Sequence, residues 1–196
     1  MIFVLMGYSS NGKDTILNIL KKQYFLNTCV SHTTRPPRKD TNEQDGIDYY
    51  FISETNYFNM LKNKEFIETR KYKTKYGTWY YGLSKSEIDL SKNQMVILDA
   101  QGFRALQKEI GNENVVGIYI TVDEDVRINR AFKREPNKIN TDKEYKKEIY
   151  RRALDDFEVF NDVENDDKVY KVDNTYNIKY AIEKVYEIFL ENKTIN

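Results

Sequence analysis

Short runs of apolar residues alternate with amphipathic segments along most of the chain. The first run, IFVLM at 2–6, contains no polar position, which is typical of a strand that is buried on both faces of a sheet. An amphipathic helix is predicted to follow, from about Lys13 to Gln23. Further strands are predicted at NTCVSH (27–32), QMVILDA (94–100), VVGIYITV (115–122) and DKVYKVDN (167–174), and further helices near 101–111, 123–134, 144–160 and 175–192. This alternation predicts an α/β fold with a central parallel sheet between layers of helices, in which ligands bind at the carboxyl ends of the strands.

Residues 36–92 depart from this alternation. DYYFIS (48–53), EFIETRKYKTKY (65–76) and GTWYYGLS (77–84) have the composition of short, partly exposed strands, and a helix is predicted at about 54–63. We therefore predict a small mixed subdomain, inserted between the second and third strands of the main sheet. The core of the single domain would then come from residues 1–35, 93–122 and 160–196. Residues 123–159 would form a separate region outside this core.

Composition limits the classes of function. The chain has 196 residues, and its 31 Lys and Arg residues balance its 31 Asp and Glu residues. A formal charge of zero argues against broad attraction to nucleic acid or to a membrane surface. The one cysteine, Cys29, cannot form an internal disulfide and favours a reducing, cytoplasmic setting. Since no run is long enough to span a membrane, we expect a soluble monomer or homodimer whose partners are small molecules.

The turn after the first strand is a candidate phosphate-binding loop. GYSSNGKD (7–14) is close to the pattern G-x-x-x-x-G-K-[ST]. Between a buried strand and a helix, backbone N–H groups and the helix dipole can hold phosphates, and Lys13 can neutralise the charge between the terminal phosphates. A strand–turn–helix unit can also be plain architecture, but this context favours a nucleotide site. The candidate ATP contacts are Gly7, Ser9, Ser10, Asn11, Gly12, Lys13, Asp14 and Thr15.

Asp14 stands where the loop pattern has a hydroxyl residue. One interpretation is structural, because an acidic side chain in the first turn of a helix is favoured by about 0.3–1 kcal/mol. The other is chemical, because a carboxylate is a hard oxygen donor that can hold Mg²⁺ directly or through water. The loop alone leaves both interpretations open.

The segment SHTTRPPRKDTNEQDGIDYYF (31–51) contains a second candidate site. Arg35 and Arg38 lie on either side of two prolines, which restrict the backbone. The forked guanidinium groups of arginine match a phosphate dianion better than lysine does. Tyr49 and Tyr81 can donate hydroxyl groups to the same phosphate. A solvated basic loop is the alternative interpretation.

This segment resembles the guanylate kinase family, which carries S-x-T-T-R-x-P-R, a spacer with an acidic residue, and then G-x-D-Y-x-F. The matching residues are Ser31, Thr33, Thr34, Arg35, Pro37, Arg38, Gly46, Asp48, Tyr49 and Phe51. The resemblance continues in the same order in KNKEFIE (62–68), YYG (80–82), ILDAQG (97–102) and RAFKR (130–134). It implies a P-loop three-layer fold with a central parallel sheet, a GMP-binding subdomain at 36–92 and a helical lid in 123–159.

The resemblance also implies how GMP is held. Its monophosphate would contact Arg35, Arg38, Tyr49 and Tyr81, with Glu43 as the acidic contact from the spacer. Its guanine would contact Ser31 and Glu68. Guanine has two adjacent donors, N1–H and the exocyclic amine, which one carboxylate accepts together, whereas adenine presents a lone pair beside a donor. An ordinary surface residue on a strand is the alternative interpretation of Glu68.

For catalysis, the resemblance implies ATP as phosphoryl donor, with Mg²⁺ as cofactor. Asp99 would lie between the two nucleotides near the metal, a role that is compatible with capping the next helix. Arginines would stabilise the charge on the transferred group. They are Arg130 and Arg134, four residues apart on one helix, and Arg151 or Arg152. Asn174 lies where the family contacts adenine, and Asp14 and Asp99 are expected to meet Mg²⁺ through water.

Departures from the family pattern bear on the acceptor. Leu83 stands where a hydroxyl residue is usual, and both the spacer after Arg38 and the connection at 70–79 are longer than usual. The expected function is ATP-dependent phosphorylation of GMP, and of dGMP, to GDP. The alternatives are a related kinase for a ribose bisphosphate and a guanylate-kinase-like binding module without activity. Ser31 and Glu68 argue against a sugar acceptor, while the intact loop with Lys13 argues against a module without catalysis.

Overall fold

The structure is a computed structural model that describes residues 1–38, 42–74, 77–134, 147, 150 and 159–193. The strands are β1 (Ile2–Met6), β2 (Asn27–Thr28), β3 (His32–Thr33), β4 (Tyr50–Phe51), β5 (Phe66–Thr74), β6 (Gly77–Ser84), β7 (Gln94–Ile97), β8 (Val115–Thr121) and β9 (Tyr170–Asp173). The helices are α1 (Lys13–Tyr24), α2 (Glu54–Lys62), α3 (Ala100–Ile110), α4 (Glu124–Arg134) and α5 (Ile178–Asn192). Residues 159–164 are also helical.

The central sheet has five parallel strands in the order β2-β7-β1-β8-β9. β1 lies in the middle, and its Val4 is in register with Val96 of β7 and with Gly117 of β8. Because the strands are parallel, the residues that follow β1, β7, β8 and β9 meet at one edge of the sheet. This edge carries the candidate phosphate loop and Asp99.

The core lies on both faces of β1, which explains why IFVLM has no polar position. On one face the buried cluster includes Ile2, Val4, Met6, Leu98, Phe103, Leu106, Phe160 and Val163. On the other face it includes Phe3, Leu5, Ile16, Leu20, Met95, Ile118, Ala181 and Val185. Thus α3 and 159–164 cover one side of the sheet, while α1 and α5 cover the other, and the predicted three-layer α/β fold is confirmed.

The second sheet is mixed, with the order β4-β3-β6-β5. β3 pairs parallel with β4 and antiparallel with β6, and β5 forms an antiparallel hairpin with β6. This sheet and α2 form the predicted insertion in the polypeptide between β2 and β7 of the main sheet. The finer division of the chain into core, insertion and lid stays a prediction.

The prediction of one continuous strand at NTCVSH was wrong. Asn27 and Thr28 pair with β7 in the central sheet, whereas His32 pairs with Gly82 in the second sheet. Between them Cys29 and Val30 remain buried, so the apolar pattern runs on while the chain passes from one sheet to the other. Hydrophobic periodicity reports burial and does not report which sheet supplies the partner strand.

The predicted helix at 144–160 lies mostly outside the described residues, although Lys147 and Tyr150 are helical. Within the described part of the chain, every helix is too short or too polar to cross a membrane.

Candidate active site

The loop between β1 and α1 depends on two glycines. Gly7 has φ 140°, and a Cβ atom there would lie 2.5 Å from the carbonyl oxygen of Ile120. Gly12 has φ 87°, and a Cβ atom there would lie 2.6 Å from Nδ2 of Asn174. Any larger residue would therefore push the loop away from the strand ends. Ser10, also at positive φ (69°), lies between the two glycines and is buried.

Two buried asparagines fix this loop to the sheet. Nδ2 of Asn11 donates to the carbonyl oxygen of Ile120 at 2.6 Å, and Nδ2 of Asn174 donates to the carbonyl oxygen of Asn11 at 2.8 Å. Both asparagine side chains are buried, so these contacts connect the loop to the ends of β8 and β9. The contact that the structure gives Asn174 is with the loop itself, and its predicted contact with adenine stays a prediction.

Lys13 begins α1 and reaches back across the loop. Its Nζ donates to the carbonyl oxygens of Gly7 at 2.6 Å and of Tyr8 at 2.8 Å. The ammonium group thus lies over the backbone of the loop. Asp14 and Thr15 follow in the first turn of α1 and are both exposed.

A carboxylate organises the two arginines that flank the prolines. Nη1 and Nη2 of Arg35 donate to the two oxygens of Glu43, each at 2.9 Å. The backbone N–H of Arg38 donates to Oε2 of Glu43 at 2.7 Å, and its Nη1 lies 3.3 Å from Oε1. Burial raises the pKa of Glu43, but the hydrogen bonds from Arg35 and Arg38 outweigh it, so the pKa lies below its usual range. Glu43 therefore stays ionised and holds both arginines in place.

Two tyrosines extend this cluster. The hydroxyl of Tyr81 accepts from Nε of Arg35 at 3.2 Å, and the ring of Tyr49 lies 5.8 Å from that of Tyr81. Burial raises the pKa of Tyr49 to about 12, and the negative charge of Asp14 adds to this rise. Tyr49 therefore stays protonated near neutral pH and can donate its hydroxyl proton.

A third cluster joins the second sheet to the end of β7. Glu68 on β5 is 6% exposed and accepts two hydrogen bonds from Arg70, at 3.0 and 3.1 Å. Oδ2 of Asp99 lies 3.6 Å from Nη1 of Arg70 and accepts from the Tyr72 hydroxyl at 3.3 Å. Burial raises the pKa of Glu68, and Arg70 opposes this rise. Glu68 is thus no ordinary surface residue.

The first turn of α3 packs directly against this cluster. Asp99 is the N-cap of α3 and accepts from the backbone N–H of Gly102 at 2.8 Å. A Cβ atom on Gly102 would lie 3.5 Å from Cδ of Glu68, in van der Waals contact, so the first turn of α3 lies beside the carboxylate. Ser31, the second residue that was predicted to contact guanine, is also buried, just before β3.

The predicted lid arginines are described only in part. Nη2 of Arg130 donates to the carbonyl oxygens of Asn174 at 2.8 Å and Thr175 at 2.9 Å, so this side chain ties α4 to the end of β9. The backbone of Arg134 ends α4, but its side chain lies outside the described residues, as do Arg151 and Arg152.

Sequence reasoning missed Arg127, which is buried, and Arg70, which is half-buried. Arg127 on α4 is 6% exposed, and its guanidinium lies 4.9 Å from the ring centre of Tyr8 in the loop. Its spacing of three residues from Arg130 was the available signal. Arg70 lies in the charged segment RKYKTK, whose composition indicates an exposed strand, so the sequence contained no signal of its burial.

Within the described chain, His, Cys, Asp and Glu side chains do not gather in groups of three or more that could hold a metal by themselves. The acidic groups that were predicted near the phosphates are Asp14 and Asp99. Carboxylate oxygens suit Mg²⁺, which keeps several waters and takes further ligands from bound phosphates. The two residues therefore fit a metal that arrives with a nucleotide.

The role of Glu43 predicts a pH-dependent loss of stability in Glu43→Gln. The pKa of Glu43 is lowered on folding. The contribution of Glu43 to stability is therefore full well above pH 4.5, and it disappears as the pH falls through the lower pKa of the folded state. At pH 7 we expect a loss of about 1.5–3 kcal/mol in the free energy of unfolding, shrinking below about pH 4. Urea denaturation from pH 3 to 7 measures this loss in the free energy of unfolding.

Glu183→Gln is the control, at an exposed position on α5, and should change the free energy of unfolding by less than about 0.5 kcal/mol. Equal effects at both positions would contradict the assignment.

Comparisons with known proteins show which family the chain belongs to. The profile of the family described as guanylate kinase matches residues 1–185. A guanylate kinase of Malacoplasma penetrans is 28% identical over 193 residues, which cover 95% of this chain and 94% of that protein. A guanylate kinase of Fusobacterium nucleatum is 32% identical over 119 residues, 59% of this chain, and the chain spans 61% of that protein's length. The crystal structure of guanylate kinase from Anaplasma phagocytophilum shares the fold, with a TM-score of 0.67, 23% identity, and coverage of 100% of this chain and 87% of that one.

The resemblance seen in the motifs is therefore confirmed over nearly the whole sequence. The loop, the arginine pair with its carboxylate, and the buried Glu68 are features of one domain, and the chain belongs to the guanylate kinase family.

Proposed function

We propose that the protein transfers the γ-phosphoryl group of ATP to GMP, and to dGMP, giving ADP and GDP or dGDP. The main support for this proposal is that Glu68 is buried on β5 of the second sheet, while the connection between β3 and β4 of the same sheet carries the Arg35–Glu43–Arg38 cluster. A carboxylate in a site that excludes water selects a base with two adjacent donors. A pair of held arginines selects a phosphate dianion. Together they describe a guanine nucleotide with one phosphate.

In this proposal, GMP lies on the second sheet. Its phosphate is bound by Arg35, Arg38, Tyr49 and Tyr81. Glu43, the acidic contact from the spacer, also holds the two arginines in position, which lowers the cost of ordering them when the phosphate arrives. Guanine is read by Glu68 and Ser31.

ATP lies on the loop between β1 and α1. The backbone N–H groups of 7–12 surround its β- and γ-phosphates, held in position by Asn11 and Asn174. Lys13 moves its ammonium group from the carbonyl oxygens of the loop to the phosphates. The loop, Lys13 and the lid arginines then stabilise the charge that spreads over the transferred group.

The transfer is a direct in-line displacement. A phosphate oxygen of GMP attacks the γ-phosphorus, the bond to the β–γ bridging oxygen breaks, and ADP leaves. The protein supplies position and charge, and no side chain becomes covalently modified. Asp99, at the edge of the sheet beside the acceptor site, lies between the two nucleotides. Arg130, Arg134 and Arg151 act from the lid side.

Bound together with ATP, Mg²⁺ would supply positive charge that neutralises the phosphates. Asp14 and Asp99 would hold it through water, because a carboxylate is an oxygen donor of the kind that Mg²⁺ takes. A cytoplasmic location and a monomeric or homodimeric state belong to the same proposal.

The related sugar-phosphate kinase is not favoured. A ribose bisphosphate has no base edge that the buried Glu68 and Ser31 could recognise. A binding module without activity is not favoured either, because Lys13 and both loop glycines are present in the geometry of a phosphate loop.

An acceptor panel tests the reaction. ADP release should be fastest with GMP and dGMP, and lower by at least about a hundredfold in kcat/KM with AMP, UMP or ribose 1,5-bisphosphate. In Glu68→Gln, which replaces one acceptor oxygen by an amide donor, kcat/KM for GMP should fall by about 10²-fold, because two charge-assisted hydrogen bonds are weakened at once.

Glu65→Gln, a half-buried carboxylate three residues earlier, is the control and should leave the acceptor preference unchanged. A wild-type enzyme without preference for GMP, or a Glu68→Gln variant that keeps it, would refute the guanine assignment.

The role of Asp14 is tested by Asp14→Ser. If Asp14 holds water on Mg²⁺, the Mg²⁺ concentration for half-maximal activity should rise by about three- to tenfold, while the free energy of unfolding changes by only about 0.3–1 kcal/mol. Glu54→Ser is the matched control, since Glu54 is also an acidic residue in the first turn of a helix. It should lose similar stability without any change in Mg²⁺ dependence. An unchanged Mg²⁺ dependence in Asp14→Ser would mean that Asp14 only stabilises α1.

A further inference from the structure

The acceptor site contains an arginine that the mechanism above does not use. Arg70 follows Glu68 by two residues on β5, so both side chains lie on the same face of the strand. Nε of Arg70 donates to Oε2 of Glu68 at 3.0 Å, and Nη2 donates to Oε1 at 3.1 Å. The side chain of Arg70 is 15% exposed and that of Glu68 is 4% exposed. Both oxygens of Glu68 therefore face one guanidinium group, largely out of contact with water.

This contact and the recognition of guanine require the same atoms. Arginine presents two parallel donors, and guanine presents two in its N1–H and its amine. Either pair of donors occupies the outer edge of a carboxylate. Guanine can take both oxygens of Glu68 only if Arg70 turns away from them. A buried guanidinium that loses its acceptors is costly, so Arg70 needs others within reach. Asp99 offers one, because its Oδ2 already lies 3.6 Å from Nη1 of Arg70.

Guanine itself offers two more acceptors. O6 and N7 lie beside N1–H on the ring, and an arginine fork to these two atoms is the commonest specific contact between proteins and guanine. Leu83, which pairs with Glu68 across the hairpin, has no polar side chain and is fully buried in the core. Arg70 thus places forked donors beside the carboxylate.

We propose that Arg70 is a specificity-determining residue, which leaves Glu68 when GMP binds and donates to O6 and N7 of guanine. The inference rests on the proposed function and deepens it. Glu68 accepts from the amine and N1–H while Arg70 donates to O6 and N7, so the pair matches four consecutive polar atoms of the base. Adenine carries an amine at position 6, which would face the donors of Arg70. The pair therefore rejects adenine at two separate points.

The test uses 7-deaza-GMP, in which a C–H group replaces N7. Calorimetry with the wild-type protein should give a Kd about tenfold weaker than for GMP, the effect of one lost hydrogen bond to a charged donor. In Arg70→Lys, the Kd for GMP should be at least about tenfold weaker than in the wild type. The Kd values for GMP and 7-deaza-GMP should then differ by less than about threefold. Lysine keeps a positive charge beside Glu68 and Asp99, which preserves the fold, but its single ammonium group cannot bridge O6 and N7.

Lys71→Gln is the matched control, because Lys71 lies next to Arg70 on the opposite face of β5, over the ring of Tyr80. It should leave both Kd values unchanged. The inference is overturned if the wild-type protein binds GMP and 7-deaza-GMP equally, or if Arg70→Lys discriminates between them as strongly as the wild type. Equal losses for both nucleotides with a lowered Tm would also overturn it, since Arg70 would then act only on the fold.

Failure of the proposed function would be seen separately, as a wild-type protein that does not phosphorylate GMP. A wild-type protein that phosphorylates GMP but binds GMP and 7-deaza-GMP equally would refute only the role of Arg70.

Discussion

The acceptor site depends on the pairing of charges that are buried beside the second sheet. Glu43 is held by Arg35 and Arg38, and Glu68 is held by Arg70. A carboxylate at such depth without a partner would take up a proton or destabilise the fold, and an arginine without a partner would be equally costly. Each buried charge therefore needs a partner, either its neighbour in the protein or a group of the bound nucleotide. The donors and acceptors of these paired groups give the site its chemistry.

The parallel sheet brings these charges to the phosphate loop. β1 and β7 are neighbours in register, so the loop that follows β1 and the Asp99 that follows β7 lie at the same edge. Asp99 then forms an ion pair with Arg70 on the second sheet, which ties the acceptor site to the core. The geometry of transfer thus rests on the register of two buried strands and on the contact between Asp99 and Arg70.

Local sequence patterns predicted the elements that depend on local chemistry. The uninterrupted IFVLM run indicated a strand buried on both faces, and GTWYYGLS at 77–84 coincides with β6. The glycines of the loop and the Arg–Pro–Pro–Arg unit were also visible, because each needs its residue types at a fixed spacing. NTCVSH failed because burial continues through Cys29 and Val30 while the partner strand changes.

The remaining parts of the site depend on contacts between distant segments. Asn174 supports the loop through Asn11, 163 residues away, and the link from Arg70 to Asp99 joins two different sheets. Arg70 lies among lysines and tyrosines whose alternation indicates an exposed hairpin, so its burial follows only from the docking of α3 and β7 against that hairpin. No local pattern could predict a contact that tertiary packing creates.

A crystal structure of the complex with GMP would show how the base and the monophosphate are held. We expect both oxygens of Glu68 to lie within hydrogen-bond distance of guanine N1 and the exocyclic amine. The monophosphate should lie on Arg35 and Arg38, and Arg70 should have moved from Glu68 to the O6 and N7 edge. A complex in which the Glu68–Arg70 pair stays intact and the base lies elsewhere would contradict this expectation.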